Sequence, residues 1–126
     1  MATADGRTKH YAATITHDAS TDLGDGTFLV AGHIESRARC MFLRVVTLRA
    51  HYLNGHHRLL DIIFTGFSGA WASKADLTGV DRVKATVRKG RGIPGLASIT
   101  AFAGHGHHHH HHKVVCDKAS FVFAAP

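Results

Sequence analysis

Asp81-Arg82-Val83-Lys84-Ala85-Thr86-Val87-Arg88 is the stretch that decides the fold class. Val83, Ala85 and Val87 share one parity and Arg82, Lys84 and Arg88 the other, as in a strand that buries one side and wets the other. The basic side chains therefore mark a solvated face. With Lys89 and Arg91 they form a local basic stretch, but nucleic-acid binding needs exposed aromatics or a groove-entering helix beside it, and neither is visible. No specific nucleic-acid partner is expected.

Outward from this strand the same rhythm recurs. Upstream, Trp71 begins a short segment after a corner framed by Gly66 and Gly69, and as the only tryptophan it is expected in the core. Asn54-Gly55 lies between Tyr52-Leu53 and Leu59–Phe64, and Asn-Gly between apolar runs is a strong hairpin signal. Between Cys40 and Arg49, the β-branched Val45, Val46 and Thr47 raise strand propensity and argue against a helix over Met41–His51. The alternation gives Arg44 an awkward inward place, where a bulge is expected. Earlier still, Phe28, Val30, Gly32 and Ile34 alternate, as do Tyr11, Ala13 and Ile15 within Lys9–His17. Asp18 to Gly26 between them reads as a loop containing the tight-turn pair Asp25-Gly26.

Downstream, Lys89 to Gly95 reads as a loop, and strands are expected at Leu96–Ala103 and Lys113–Phe123, joined by the His-rich loop 104–112. Short strands at regular spacing, without a convincing 3.6-residue period, predict an all-β fold. We expect a two-layer antiparallel β-sandwich of about seven to nine strands. The 126 residues, 44% of them hydrophobic, suit one domain spanning 1–126 with a real core.

Fifteen Lys+Arg against nine Asp+Glu give a formal charge of +6, to which 13 histidines add as pH falls. The cations are scattered and form no basic arm, so charge alone selects no partner. No apolar run is long enough to span a bilayer, and the polar start Met1-Ala-Thr-Ala-Asp-Gly lacks the apolar region of a signal peptide. Cys40 and Cys116 have no C-x-x-C spacing, which leaves a long-range disulfide or two buried thiols.

Chemistry-bearing candidates are few. His107, His108, His109, His110, His111 and His112 follow Gly104-His105-Gly106, and imidazoles in a run chelate zinc, nickel, copper or cobalt. Six histidines in a row are also the signature of an affinity tag, so an inserted tag and a native metal-binding loop both stand, with any transition metal adventitious and no cofactor required. His56-His57 reads as exposed turn residues, and the single His10, His17, His33 and His51 need no role. Asp61 and Asp76 sit in no motif that supplies a partner, Ser68 belongs to a turn, and no Gly-x-Ser-x-Gly or His-Glu-x-x-His appears. Gly90-Arg91-Gly92 lacks the Lys-Thr/Ser and helix of a phosphate cradle. An enzyme is not expected.

Cys40, Arg44-Val45-Val46-Thr47-Leu48, Gly69-Ala70-Trp71, Val83-Lys84-Ala85-Thr86-Val87 and Cys116-Asp117-Lys118-Ala119-Ser120-Phe121 follow one another in an order with a family counterpart. The order resembles that of small bacterial extracytoplasmic β-sandwich domains of immunoglobulin-like or prealbumin-like (carboxypeptidase-regulatory-like) type. The resemblance implies a Cys40–Cys116 disulfide across the sandwich, adding roughly 4–5 kcal/mol in the chain-entropy model. It also implies a non-enzymatic structural or interaction module at an extracellular or cell surface, binding protein or glycan through loops. The alternatives are a phage virion component, such as a capsid decoration or tail protein that assembles as an oligomer, and metal binding through the histidine run.

Overall fold

Residues 8–92 and 113–126 are described by the computed structural model, and within them period-two alternation becomes ten strands. They are β1 (Thr8–Tyr11), β2 (Thr14–Gly24), β3 (Thr27–Glu35), β4 (Val45–His51), β5 (His57–Phe64), β6 (Ala70–Asp76), β7 (Arg82–Val87), β8 (Gly90–Arg91), β9 (Lys113–Cys116) and β10 (Ala119–Ala124). Two antiparallel sheets, β2-β3-β6 and β10-β7-β4-β5, form the layers of an all-β sandwich. Ile15, Val30, Ile34, Trp71 and Ala75 from the first meet Val46, Leu48, Val83, Ala85, Val87 and Phe123 from the second in one core cluster. Each large aliphatic side chain buried there contributes roughly 1.5–3 kcal/mol relative to exposure. Gly32 lies under Trp71, where an added Cβ would collide with the Thr16 carbonyl and the indole ring.

The turn signals sit where the chain reverses. Asp25 and Gly26 both take positive φ, 55° and 79°, and Gly24 pairs with Thr27 across a two-residue hairpin turn. At the next hairpin, Gly55 takes φ 88° and its N–H donates to the Tyr52 carbonyl. Gly69, at φ 83°, turns the chain from β5 into β6 in the other sheet, and a Cβ there would meet the Ile34 carbonyl at 2.6 Å.

Several expectations are corrected. Asp18–Gly24 is not loop but the second half of β2, which runs on through polar residues because β3 supplies a hydrogen-bonding partner to its end. The predicted single strands Lys9–His17 and Lys113–Phe123 are each split, at Ala12-Ala13 and Asp117-Lys118, because the chain changes sheet there. Their outer pieces β1 and β9 pair in parallel and, with β8, form a third sheet of order β1-β9-β8. Gly90-Arg91, expected in a loop, is that sheet's β8. The expected strand Leu96–Ala103 and the loop 104–112 lie outside the described residues.

Arg44 is buried as expected, but without a bulge. Its guanidinium donates to the carbonyls of Cys40, Arg88 and Asp117, each at 2.9 Å, and its backbone N–H donates to Thr65 Oγ1. Carbonyl dipoles thus replace the water that burial removed, and desolvation lowers the Arg44 pKa from its ordinary value. The bulge instead falls on β5 at Leu60, between the pairs Leu48–Asp61 and Arg49–Leu59. Cys40 and Cys116 are disulfide-bonded, with Cα atoms 5.5 Å apart. The bond ties a 3-10 turn at Ala38–Cys40 to β9 in a small cluster with Val114 and Tyr11, apart from the core between the main sheets.

Candidate binding face

The basic strand from which the fold was read becomes half of a surface once its neighbours are in register. On β7, Val83, Ala85 and Val87 are fully buried while Arg82 and Lys84 are exposed, as is Arg88 just after the strand. β4 places Arg49 opposite Lys84, His51 opposite Arg82 and Thr47 opposite Thr86. β10 adds Ser120, Val122 and Ala124 along one border, and β5 adds His57, Leu59, Ile62 and Phe64 along the other. No aspartate or glutamate stands among these outward positions. Asp61 turns inward to accept a hydrogen bond from Ser73 Oγ on β6, and Asp81 pairs with Arg82 at the strand's start, 3.2 Å away.

This outward set has unusual energetics for a surface that only meets water. Like charges directly opposite on neighbouring strands destabilise a sheet, and Arg49 with Lys84 is such a pair. His51 is pushed below its ordinary pKa by burial first, then by His57, Arg82, Lys84 and Arg49. Thr47 is only 8% exposed and its Oγ1 has no partner, nor does the buried His51 Nε2. Beside the cations, Leu59, Ile62 and Phe64 are 42%, 46% and 62% exposed, although β5 carries Leu60 and Ile63 against the core. The adjoining turn exposes Phe67, whose ring stacks on Phe42 at 4.0 Å.

The opposite outer face is acidic. His33 on β3 meets Asp18 through Nδ1 at 2.8 Å and Glu35 through Nε2 at 3.0 Å, and these hydrogen bonds raise its pKa. Thr16 Oγ1 also lies 3.2 Å from Nδ1. Both ring nitrogens are engaged by separate carboxylates, so neither is free for a nucleophile or a metal.

The remaining histidine and carboxylate candidates disperse. His56 lies at the hairpin turn, its N–H donating to Asn54 Oδ1, while His57 lies beside His51 with ring centroids 5.9 Å apart. His17 hydrogen-bonds Ser20 at 2.8 Å and stacks on Phe123, and His10 lies 3.3 Å from Asp117. Asp76 accepts from the Thr78 backbone and side chain, which lowers its pKa and closes a turn. Ser68 is exposed between Gly66 and Gly69. His107 to His112 lie outside the described residues. Among the described residues no group of three or more His, Cys, Asp or Glu is placed to hold a metal ion, and no helix is long and apolar enough to cross a membrane.

A shallow cleft at the other end of the fold is lined by His10, Tyr11, Ala12, Ser36 and Arg37, with the Arg37 guanidinium 5.4 Å above the Tyr11 ring. Comparison of the chain with family models, with curated proteins and with solved structures found no match. Sequence reasoning identified the basic parity of β7 but missed Arg49 and the apolar border on β5. The signal available for the latter was Leu59-Leu60-Asp61-Ile62-Ile63-Phe64, too uniformly apolar for a strand with one wet side.

Proposed function

We propose that the chain is a non-enzymatic interaction module that works at an extracellular surface, and that its contact surface is the outer face of the β10-β7-β4-β5 sheet rather than its loops. The observation that carries this reading is the opposed pair Arg49 and Lys84, with no carboxylate at the outward positions around it, beside the exposed stripe Leu59, Ile62 and Phe64. Unpaired like charges and wetted apolar groups both cost stability in the isolated chain, and a complementary partner relieves both. The Cys40–Cys116 bond agrees with an oxidising compartment.

An array of immobilised anionic and neutral peptides and glycans tests the reading, with wild type compared to R49T/K84T. Threonine keeps strand propensity and removes the charges. Wild type is expected to be retained by anionic spots and the double variant to lose most of that retention with its thermal midpoint slightly raised. Equal retention of the two proteins would remove the face from the function.

A further inference from the structure

Resting on that reading, the chemistry of the partner follows from how the face is divided. Read across the strands, one row runs Leu59, Arg49, Lys84, Val122 and the next Ile62, Thr47, Thr86, Ser120. Strands are about 4.8 Å apart, so the apolar border lies roughly 5 Å from the first cationic strand and roughly 10 Å from the second. A purely anionic chain, such as a sulfated glycan, would satisfy Arg49 and Lys84 and leave Leu59, Ile62, Phe64 and Phe67 in water. A neutral apolar surface would do the reverse and strip water from cations without a counter-charge.

The geometry points to an acidic protein segment that also carries apolar side chains, its carboxylates over Arg49 and Lys84 and its apolar groups on Leu59, Ile62 and Phe64. Charge complementarity selects the acidic half of this description, and exposure of the β5 stripe selects the apolar half.

The full chain is titrated, by fluorescence anisotropy at low salt, with a labelled peptide alternating Glu and Leu, with polyglutamate of equal charge, and with heparin. The mixed peptide is expected to bind about tenfold tighter than polyglutamate, the difference that burial of a few apolar groups supplies. I62T/F64T is expected to reduce that advantage to about twofold or less, and R49T/K84T to weaken both peptides while removing most of their salt dependence. Thermal melts of each variant confirm that the strands persist. Polyglutamate or heparin binding as tightly as the mixed peptide, with no loss in I62T/F64T, would overturn the protein-segment proposal and leave an anionic glycan on the same face. If no probe binds, or R49T/K84T binds all three like wild type, the interaction reading falls with it.

Discussion

His33 and His51 stand on the two outer faces of one sandwich, in opposite fields. His33, on β3, is held between Asp18 and Glu35 and its pKa is raised; His51, on β4, faces His57, Arg82, Lys84 and Arg49 and its pKa is lowered. Their strands' inner positions do the same work, with Val30 and Ile34 on β3 and Val46 and Leu48 on β4 all fully buried. Folding therefore constrains the inward parity of each strand and leaves the outward parity free. On the three-stranded sheet that freedom is spent on mutually satisfied acid and imidazole. On the four-stranded sheet it leaves cations opposed to cations, a local conflict of the kind that binding surfaces retain.

The contrast requires that both faces ride on one cooperative unit, and the largest predicted effect tests this. The Cys40–Cys116 bond spans 76 residues of sequence, so C40A/C116A is expected to lose up to about 4.5 kcal/mol in the chain-entropy model. Urea melts followed by Trp71 fluorescence and by the His33 and His51 imidazole resonances are expected to coincide at a lowered midpoint. Separate midpoints for the two histidines would break the comparison by making the sheets independent.

Arg44 comes next, because it joins the end of the four-stranded sheet to the third sheet. Arg44→Met keeps the aliphatic stem but leaves the Cys40, Arg88 and Asp117 carbonyls without their donor. About 2–4 kcal/mol of lost stability is expected from stranded buried acceptors. A loss under about 0.5 kcal/mol in a chemical denaturation series would show that water replaces the guanidinium and that this end of the fold is open.

What was legible in the sequence follows the same division. β3, β4 and β7 were readable because burial on one side writes a period of two. Asp25-Gly26 and Asn54-Gly55 were readable because positive φ restricts the residue types allowed. Asp18–Gly24 was not, since a strand wet on both sides has no alternation and is held by its hydrogen bonds to β3. Nor were the sheet changes at Ala12-Ala13 and Asp117-Lys118, where local strand propensity is the same before and after the switch. The basic parity of β7 was visible, and its reading as a merely solvated face was reasonable for one strand alone. Only the register of β4, β5 and β10 beside it shows that carboxylates are missing across the whole face.

A smaller effect separates the two histidines directly. In a proton NMR titration His33 is expected to titrate above 6.5 and His51 below it. Because the folded pKa of His33 is raised, its contribution to stability is complete below pH 6.5 and is lost as pH rises through the folded value. The folded pKa of His51 is depressed, so its contribution is present above pH 6.5 and is lost as pH falls through the folded value. With His33 34% exposed and Glu35 69% exposed, solvent screening keeps the His33 contribution well under 1 kcal/mol. The two histidines titrating together near 6.5 would erase the electrostatic difference between the faces.

The smallest effect concerns whether the opposed cations are a real cost. Arg49→Glu turns the Arg49–Lys84 pair into an attractive one, and an exposed cross-strand pair of opposite charge is worth about 0.2–1 kcal/mol. The variant is therefore expected to be slightly more stable than wild type in dilute buffer and to lose that gain near 1 M salt, where the Debye length falls to about 3 Å. It also sharpens the comparison of faces, since Arg49 is the weakest of the groups that depress His51 and its reversal is expected to move that pKa upward by a small amount while leaving His33 in place. Glu35→Gln supplies the converse on the acidic face, lowering the His33 pKa and leaving His51 unchanged. If Arg49→Glu destabilises at low salt, the cations on β4 and β7 are already neutralised by their surroundings, and the case for a partner rests on the apolar stripe alone. If it stabilises and abolishes binding together, the conflict between stability and recognition lies on this face, in the pair Arg49 and Lys84.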